Sequence, residues 1–313
     1  MKGTLTPSKL ALISMIIGLL LVSALFAGCT QSTTSTPVTS AATTAPVTTV
    51  ATPVTTTAVP TTVVTTATPA PTYTATEGNL VAYTAASLSG ASKTIGPAFT
   101  KAYPGHKVAF NLDGTQALKT QIENGAYADV FISASNSYTN TLKSENYLVN
   151  DSVKTLTTNY IIVILPASNP GKITSLADLA KPGVKIAMAA NTVPVGSATM
   201  TVVNNTANST YGQAWKNSVI SNVVTYETSE PAVASKVSLG EVDAGFVYQS
   251  TASAAAPGTY KTVTIGKADN YLQTYTIAIM KGSTNKAVAA EFEQFMLSSA
   301  GQQILAQYGF TAP

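Results

Sequence analysis

The sequence predicts an α/β fold made of two lobes, and three observations support this prediction. Short apolar segments that suit buried strands alternate with segments of helical periodicity from about residue 79 to residue 313. Turn residues separate most of these segments, which is typical of βαβ units and a largely parallel sheet. The stretch is also long for one compact core and comfortable for two.

The first lobe is predicted from its strands and from one clear helical stripe. Strands are expected at 80–85, 107–111 and 128–133. Four apolar residues recur at helical spacing after the first strand: Leu88, Ala91, Ile95 and Phe99. Pro97 interrupts this pattern and should kink the helix or distort its last turns. A short second helix carries Leu118 and Ile122, and Gly125 follows it as a candidate C-cap.

The second lobe begins near residues 156–159, just before the apolar strand 160–166. Further strands are expected at 184–189 and 242–248, with helices starting near Val195 and Glu230. The segment 275–280 returns the chain to the first lobe, where one helix spans 287–307. We therefore assign residues 79–157 and 276–313 to lobe I and residues 158–275 to lobe II.

The N-terminal region indicates export. Residues 1–29 combine Lys2 and Lys9, an uncharged apolar run and a Leu-Phe-Ala-Gly-Cys ending, which is the pattern of an export signal. The ending resembles the lipobox of prokaryotic lipoproteins, which implies that Cys29 carries a lipid anchor. The alternative is an uncleaved membrane anchor. Residues 30–78, rich in Thr, Pro and Ala, predict a disordered tether. The protein would then sit on the outer face of the cell membrane.

Composition argues against several classes of function. The net charge is only +3 and the basic residues are scattered, so nothing indicates nucleic-acid binding. The composition around the single histidine, His106, predicts a surface turn, and no partner motif accompanies it. The sequence also lacks metal-ligand spacing, a nucleophile elbow and a phosphate loop. We therefore expect neither catalysis nor a cofactor, and no directly bound metal.

Four strand-to-helix junctions carry small hydroxyl residues or glycine. They lie at Ser87, at Thr115, at Val195-Gly196 and near Glu230. Ligands of open α/β sheets bind beyond the carboxyl ends of the strands, where helix N-termini present free N–H groups. Several such termini would hold a dianion without Arg or Lys. Each junction alone is better explained by ordinary helix capping, so only their joint occurrence indicates a binding site.

Five segments carry a resemblance to a known family: Ala85-Ala86-Ser87-Leu88, the stretch from Thr115 to Ala134, Val193-Pro194-Val195-Gly196, the stretch from Gly240 to Tyr248, and the ending Gln307-Tyr308-Gly309-Phe310-Thr311. On these segments the sequence resembles the molybdate-binding proteins of ABC importers, which have the type II periplasmic-binding fold of two lobes joined by two hinge crossings. The resemblance covers almost all of residues 79–313.

The resemblance implies which residues would hold molybdate or tungstate in the cleft. Ser87 would donate its hydroxyl and backbone N–H, and Thr115 would donate from a position where the family usually has serine. Val195 and Glu230 would each donate a backbone N–H, and Tyr248 would donate its phenol. Closure of the lobes would complete the shell around the anion. The partner would be an ABC permease, and the protein would act as a monomer.

Two departures from the family pattern leave alternatives open. Thr115 adds a methyl group that could tighten the cavity. Glu230 stands where an apolar residue is common, and its carboxylate either points to solvent or approaches the metal. Other oxyanions, such as sulfate or phosphate, are the alternative ligands. A surface adhesion or stalk protein without a ligand is the alternative of another class.

Two aromatic residues and one carboxylate are expected to be structural. Trp215 and Tyr211 lie in a polar helix of lobe II and should pack against the fold rather than contact a ligand. Asp129 should cap backbone near the end of the sheet, because a carboxylate would repel an oxyanion.

Overall fold

The computed structural model describes Tyr73, Thr74 and residues 78–313. The predicted export signal, Cys29 and most of the predicted tether lie outside these residues. Within the described part, no helix has both the length and the apolar character needed to cross a bilayer. The described residues belong to one compact unit.

Strands and helices alternate along most of the described chain. The strands are β1 (Asn79–Ala85), β2 (Lys107–Asp113), β3 (Val130–Ser133), β4 (Lys154–Pro166), β5 (Ile186–Ala189), β6 (Val223–Glu227), β7 (Ala244–Tyr248), β8 (Tyr260–Val263) and β9 (Leu272–Ile279). The α-helices are α1 (Ser89–Ala102), α2 (Thr115–Glu123), α3 (Asn136–Ser144), α4 (Pro194–Thr206), α5 (Gly212–Ser221), α6 (Glu230–Ser238), α7 (Gln249–Ala254), α8 (Lys286–Leu297) and α9 (Ser299–Gln307). Short 3-10 turns at Ala86–Leu88, Asn150–Ser152 and Leu176–Ala180, and a π-helical turn at Ala207–Tyr211, complete the secondary structure.

The sheet is mixed, so the prediction of a largely parallel sheet was wrong. Its strand order is β2-β1-β3-β9-β4-β7-β5-β6, and β8 also pairs with β4. The pairs β1–β2, β1–β3, β5–β6 and β5–β7 are parallel, as βαβ units require. Every pair that involves β4 or β9 is antiparallel. The antiparallel character therefore comes from the two strands that link the parallel groups.

The strands β4 and β9 connect the two predicted lobes. Residues 154–160 of β4 pair with β9, and residues 161–166 pair with β7 and β8. Strand β9 pairs with β4 over 272–277 and with β3 over 276–279. The expected crossings near residues 156–159 and 275 thus fall inside continuous strands. The boundaries of lobe I and lobe II stay a prediction.

The helix α1 packs into the core as the helical stripe predicted. Leu88, Ala91, Ile95 and Phe99 are each at most 1% exposed. The Phe99 ring contacts the Phe292 ring of α8 edge-on, with centroids 5.1 Å apart. The helix continues through Pro97 to Ala102. Aromatic packing of this kind adds about 1 kcal/mol beyond area burial and attaches the C-terminal helices to lobe I.

The predicted helix 287–307 is instead two helices, α8 and α9, that meet at Ser298. This residue has extended backbone angles, and its hydroxyl accepts a hydrogen bond from the Gly301 N–H at 3.3 Å. A Cβ on Gly301 would lie 2.3 Å from the Phe295 carbonyl oxygen. Serine as an N-cap and glycine in the first turn therefore let the chain bend here, which apolar periodicity alone does not reveal.

Candidate functional site

The residues predicted to form the anion site lie where strands end, and all are buried. Ser87 follows β1 in the turn Ala86–Leu88, Thr115 opens α2, and Val195 is the second residue of α4. Glu230 opens α6, and Tyr248 ends β7. None of the five exposes more than 7% of its surface. The predicted junctions are therefore present, although Ser87 lies in a 3-10 turn rather than at an α-helix start.

Ser87, Glu230 and Tyr248 belong to one buried cluster. The Ser87 hydroxyl lies 2.8 Å from the Tyr275 hydroxyl. The Tyr275 ring packs edge-on against the Tyr248 ring, with centroids 5.9 Å apart. The Tyr248 backbone N–H donates to Glu230 Oε1 at 2.7 Å. One residue of predicted lobe I and two of predicted lobe II are thus brought together by short contacts.

Two side chains make hydrogen bonds across the cleft between the predicted lobes. The Gln116 amide of α2 donates to the Thr228 carbonyl oxygen at 2.8 Å, two residues before α6. The Tyr138 hydroxyl of α3 donates to the Thr192 carbonyl oxygen at 2.5 Å, two residues before α4. Both contacts tie a helix of predicted lobe I to a helix start of predicted lobe II. The cleft is therefore closed at these two points.

Thr115 directly precedes Gln116 at the start of α2. The Thr115 hydroxyl accepts a hydrogen bond from the Ala134 N–H at 3.1 Å, which ties the start of α2 to the end of β3. Its own hydrogen stays available for a further acceptor, because a hydroxyl both donates and accepts. Within the described part of the chain, no hydrogen bond joins the Thr115 side chain to Ser87, Glu230 or Tyr248.

The start of α4 depends on Gly196. A Cβ there would lie 2.1 Å from the Ala190 carbonyl oxygen and 2.5 Å from that of Ala189. Pro194 occupies the first turn, where its missing N–H costs nothing. The N–H of Val195, the next residue, has no partner inside the helix. The Val-Pro-Val-Gly segment thus lets the helix start pack directly on the end of β5.

The Glu230 carboxylate is turned inward, so the interpretation that it points to solvent was wrong. Oε1 accepts hydrogen bonds from the Tyr248 N–H and from the Thr251 hydroxyl, both at 2.7 Å. Oε2 is buried and has no partner among the described atoms. Burial raises the pKa of Glu230 to about 7, although the two hydrogen bonds oppose the shift. Near neutral pH this carboxyl group therefore exists in both protonation states.

The Tyr248 hydroxyl is engaged by Gln273. It donates to Gln273 Oε1 at 3.1 Å. The Gln273 amide nitrogen donates to the Thr274 carbonyl oxygen at 3.2 Å, so only its oxygen is free to face Tyr248. The phenol that was predicted to donate to an anion has its hydrogen committed to Gln273 here. Binding through Tyr248 would require this hydrogen to turn away from Gln273.

The site offers neutral donors rather than cations. Burial raises the pKa of Tyr248 and of Tyr275 well above the ordinary value, so both phenols stay protonated. The whole sequence contains no arginine, and its basic residues are all lysines. Among the described residues, no group of three or more His, Cys, Asp or Glu is placed to hold a metal ion. The arrangement suits an anion that is held by hydrogen bonds.

The residues expected to be structural have structural contacts. Trp215 stacks on Tyr211 with ring centroids 5.2 Å apart, and its indole N–H donates to the Leu176 carbonyl oxygen. Asp129 is buried and accepts hydrogen bonds from the Val81 N–H and the Ser283 hydroxyl. These contacts confirm the packing of Trp215 on Tyr211 and the capping of backbone by Asp129.

His106 lies away from the cluster. Its Nδ1 is 2.8 Å from a carboxylate oxygen of Glu291 on α8, and its side chain is partly exposed. This pairing ties the turn before β2 to α8. No serine or threonine nucleophile is bonded to His106 in the described part of the chain.

Sequence reasoning missed the polar residues of the connecting strands. Asn159 on β4, and Gln273 and Tyr275 on β9, are all buried at the cluster, together with Ser250 on α7. The signal that could have found them is a polar side chain inside an otherwise apolar strand, because a buried polar group needs a buried partner. Asn159 lies directly before the apolar run 160–166 and carries that signal.

The fold and the site define a class of protein. Two lobes joined by two long strands, with strand ends and helix starts meeting in a closed cleft, form an α/β ligand-binding protein of the type II periplasmic-binding fold. Comparisons with known proteins agree. The substrate binding domain named for a molybdenum ABC transporter of Clostridium difficile aligns with a TM-score of 0.58 at 29% identity, covering 75% of this chain and 99% of that one.

The sequence relatives identify the family. A molybdate-binding protein ModA of Mycobacterium bovis is 34% identical over 235 residues, or 75% of this chain and 85% of that protein. YvgL of Bacillus subtilis, named as an ABC transporter substrate-binding lipoprotein, is 27% identical over 73% of this chain and 84% of its own length. The model for bacterial extracellular solute-binding proteins matches residues 80–311. The chain belongs to this family of bacterial extracellular solute-binding proteins.

Proposed function

We propose that the protein captures molybdate or tungstate outside the cytoplasm and delivers it to an ABC importer. The observation that carries this proposal is the buried cluster of neutral donors at converging strand ends, which includes Ser87, Tyr248 and Tyr275. Relatives and a solved structure of similar fold are named for molybdate or molybdenum transport. The proposed role requires neither catalysis nor a resident cofactor.

Binding follows from the donors that the closed cleft brings together. Ser87 and Thr115 donate their hydroxyl hydrogens from lobe I, and Val195 and Glu230 donate backbone N–H groups from the starts of α4 and α6. Tyr248 turns its phenol from Gln273 to the anion. Helix N-termini favour negative charge, each by up to about 1 kcal/mol. Rigid donors cannot close around the smaller sulfate ion without lengthening these hydrogen bonds, which favours the larger anions.

Delivery follows from the change of shape. The contacts Gln116–Thr228 and Tyr138–Thr192 link the two sides of the cleft. An anion that bonds to both lobes stabilises this closed form, and a permease that recognises it accepts only loaded protein. The protein works as a monomer on the outer face of the membrane, tethered through residues 30–78 and a lipid on Cys29. The naming of a relative as a lipoprotein supports the anchor.

The anchor is tested by comparing the wild type with Cys29→Ser in cells. We expect the wild type in the membrane fraction and the variant released or retained as an unprocessed precursor. Labelling with a radioactive fatty acid should mark only the wild type. Equal membrane association and no label on either protein would instead support an uncleaved anchor.

A second ligand class is favoured by one observation. Among the described residues Glu230 Oε2 is buried without a partner, so it could accept the proton of a protonated oxyanion such as hydrogen phosphate. Molybdate and sulfate carry no such proton at neutral pH. Phosphate is therefore the alternative that the titration must exclude.

Calorimetric titration of the full chain, purified in detergent, tests the proposal. Molybdate, tungstate, sulfate and phosphate are titrated in turn. We expect one-to-one binding of molybdate or tungstate, with sulfate and phosphate at least ~100-fold weaker, a difference of about 2.7 kcal/mol. Tightest binding of sulfate or phosphate would keep the class of protein and replace the ligand. No binding of any of the four would favour an adhesion or stalk protein.

A further inference from the structure

Tyr275 lies at the centre of the cluster, yet the sequence did not predict a role for it in binding. Its side chain is fully buried on β9, one of the two strands that connect the predicted lobes. Its hydroxyl is 2.8 Å from the Ser87 hydroxyl, and either oxygen has the geometry to donate. The direction of this one hydrogen bond decides what Ser87 presents to a ligand.

The orientation of the Asn159 amide is fixed by its neighbours. Asn159 Oδ1 accepts a hydrogen bond from the Tyr160 backbone N–H at 3.0 Å, and this group can only donate. The amide nitrogen therefore faces the other side, where it donates to the Ser250 hydroxyl at 2.8 Å. Burial raises the pKa of Tyr275 most, and the Asn159 side chain opposes this by lowering it, as expected of an amide N–H that faces the phenol oxygen. An amide nitrogen only donates, so the Tyr275 oxygen can only accept from it.

Ser250 holds Ser87 from the opposite side. Its hydroxyl accepts from Asn159 and donates to the Ser87 carbonyl oxygen at 3.3 Å. Asn159 is thus linked to the Ser87 backbone through Ser250, and it lies near the Ser87 side chain through Tyr275. All four residues are buried, so water does not compete for these bonds.

We propose that Tyr275 is a positioning residue, which donates its hydrogen to the Ser87 oxygen and so directs the Ser87 hydrogen to the bound anion. The chain of donors runs from the Asn159 amide through the Tyr275 hydroxyl to the Ser87 hydroxyl and ends at the anion. This inference rests on the proposed function, because it assigns a partner to a residue of the same site.

The physical reason is the count of hydrogens. A serine hydroxyl has one hydrogen and two lone pairs. If Ser87 donated to Tyr275, it would present only lone pairs to a dianion and repel it. With Tyr275 as the donor, the Ser87 oxygen accepts the phenol hydrogen, and the Ser87 hydrogen remains available to the ligand. Successive bonds of this kind also polarise one another and strengthen the last donor.

A double-mutant cycle tests the proposal. Molybdate is titrated into the full chain as the wild type, Tyr275→Phe, Ser87→Ala and the double variant. We expect Tyr275→Phe to weaken binding about tenfold in the wild-type background, the loss expected for a misdirected hydrogen bond to a charged group. In the Ser87→Ala background the same change should weaken binding less than about twofold, because the residue that it directs is gone.

Tyr260→Phe is the matched control. Tyr260 is a partly buried tyrosine of predicted lobe II, and its hydroxyl donates to the Ala234 carbonyl oxygen at 3.1 Å, outside the cluster. Its removal should lower the melting temperature slightly and leave the affinity for molybdate unchanged. Comparison of the two phenylalanine variants separates loss of a buried hydroxyl from loss of direction at Ser87.

Each other outcome overturns the inference in a recognisable way. Equal loss of affinity in both backgrounds would mean that Tyr275 contacts the anion itself. A lower melting temperature without any change of affinity would mean that Tyr275 only packs. If the wild type bound none of the oxyanions, both the proposed function and this inference would fail. If the wild type bound molybdate and Tyr275→Phe bound it equally well, only this inference would fail.

Asn159→Ala keeps the test available if Tyr275→Phe does not fold. This variant leaves Ser87 and Tyr275 intact but frees the phenol to point its hydrogen either way. Affinity falls by the fraction of molecules with the correct direction, so we expect about a twofold loss that disappears in the Ser87→Ala background. A twofold loss that persists there would count against the relay.

Discussion

The buried carboxyl group of Glu230 should make the folded protein less stable as pH rises, and Glu230→Gln should remove that dependence. The pKa of Glu230 in the folded protein is about 7, raised mainly by burial from its ordinary value of 4.5. A group with a raised folded pKa binds protons more tightly in the folded state, so it favours folding at low pH. The penalty begins near pH 4.5 and is almost fully developed at pH 7.

The magnitude follows from the shift. A difference of about 2.5 pKa units corresponds to about 3 kcal/mol, because each unit is worth about 1.4 kcal/mol. Glu230 is buried and its Oε2 has no partner in the described part of the chain, so solvent does not screen this penalty. Glutamine keeps an oxygen for the Tyr248 N–H and the Thr251 hydroxyl and has no charge to bury.

Urea denaturation of the ligand-free protein at about pH 5 and about pH 8 is the assay. The free energy of unfolding of the wild type should fall by about 2 to 3 kcal/mol more than that of Glu230→Gln between these two values. Glu241→Gln is the control, because Glu241 is an exposed carboxylate that pairs with Lys236 at 2.5 Å. Parallel pH profiles for the wild type and Glu230→Gln would refute the assignment of a raised pKa to Glu230.

Three further predictions concern residues around the same cleft. Gln273→Leu should tighten molybdate binding severalfold, because the Tyr248 hydroxyl no longer has to give up its hydrogen bond to Gln273, which is worth about 1 kcal/mol. Unchanged or weaker binding in a titration would show that this hydrogen bond does not compete with the anion. Gly196→Ala should abolish molybdate binding and lower the melting temperature, since its Cβ would overlap two carbonyl oxygens. Gly266→Ala is the control and should change neither quantity, because no described atom lies within 4 Å of a Cβ there. A stable Gly196→Ala protein that still binds molybdate would contradict the packing of α4. Thr115→Val should cost about 1 to 3 kcal/mol of unfolding free energy by orphaning the Ala134 N–H, measured by denaturation, and a neutral effect would show that this bond contributes little.

Apolar patterning predicted the parts of the fold that depend on burial alone. The stripe Leu88, Ala91, Ile95 and Phe99 lies in the core as expected, because helical spacing places these side chains on one face. Gly125 ends α2 with a positive φ of 86°, the conformation that glycine adopts without strain. These features follow from local chemistry, so the sequence is sufficient to predict them.

Strand direction and the break between α8 and α9 were beyond the same reasoning. Whether β9 runs parallel or antiparallel to β3 is decided by how the chain returns from lobe II, and no local pattern encodes that path. At Ser298 the apolar face continues from Phe295 to Leu305, which hides the bend that capping produces. Long-range connectivity therefore determined the direction of β9, and capping determined the break at Ser298, although apolar periodicity predicted otherwise.

The candidate site was predictable at its strand ends and not at its centre. Junctions such as the one at Ser87 carry a recognisable hydroxyl residue followed by a helix. Tyr275 and Gln273 lie inside strands, and only the folded chain brings them to Ser87 and Tyr248. The inward turn of Glu230 was not predictable either, because it depends on the position of the Tyr248 N–H.

A crystal structure of the protein with tungstate, phased on the anomalous scattering of tungsten, tests the central claim most directly. The account predicts one tungsten atom in the cleft, with four oxygen atoms hydrogen-bonded to the Ser87 and Tyr248 hydroxyls and to N–H groups at the helix starts. The Tyr275 hydroxyl should lie within hydrogen-bond distance of the Ser87 hydroxyl, on the side away from the anion. A tungsten atom outside the cleft, or one coordinated directly by the Glu230 carboxylate, would contradict a site made of hydrogen-bond donors.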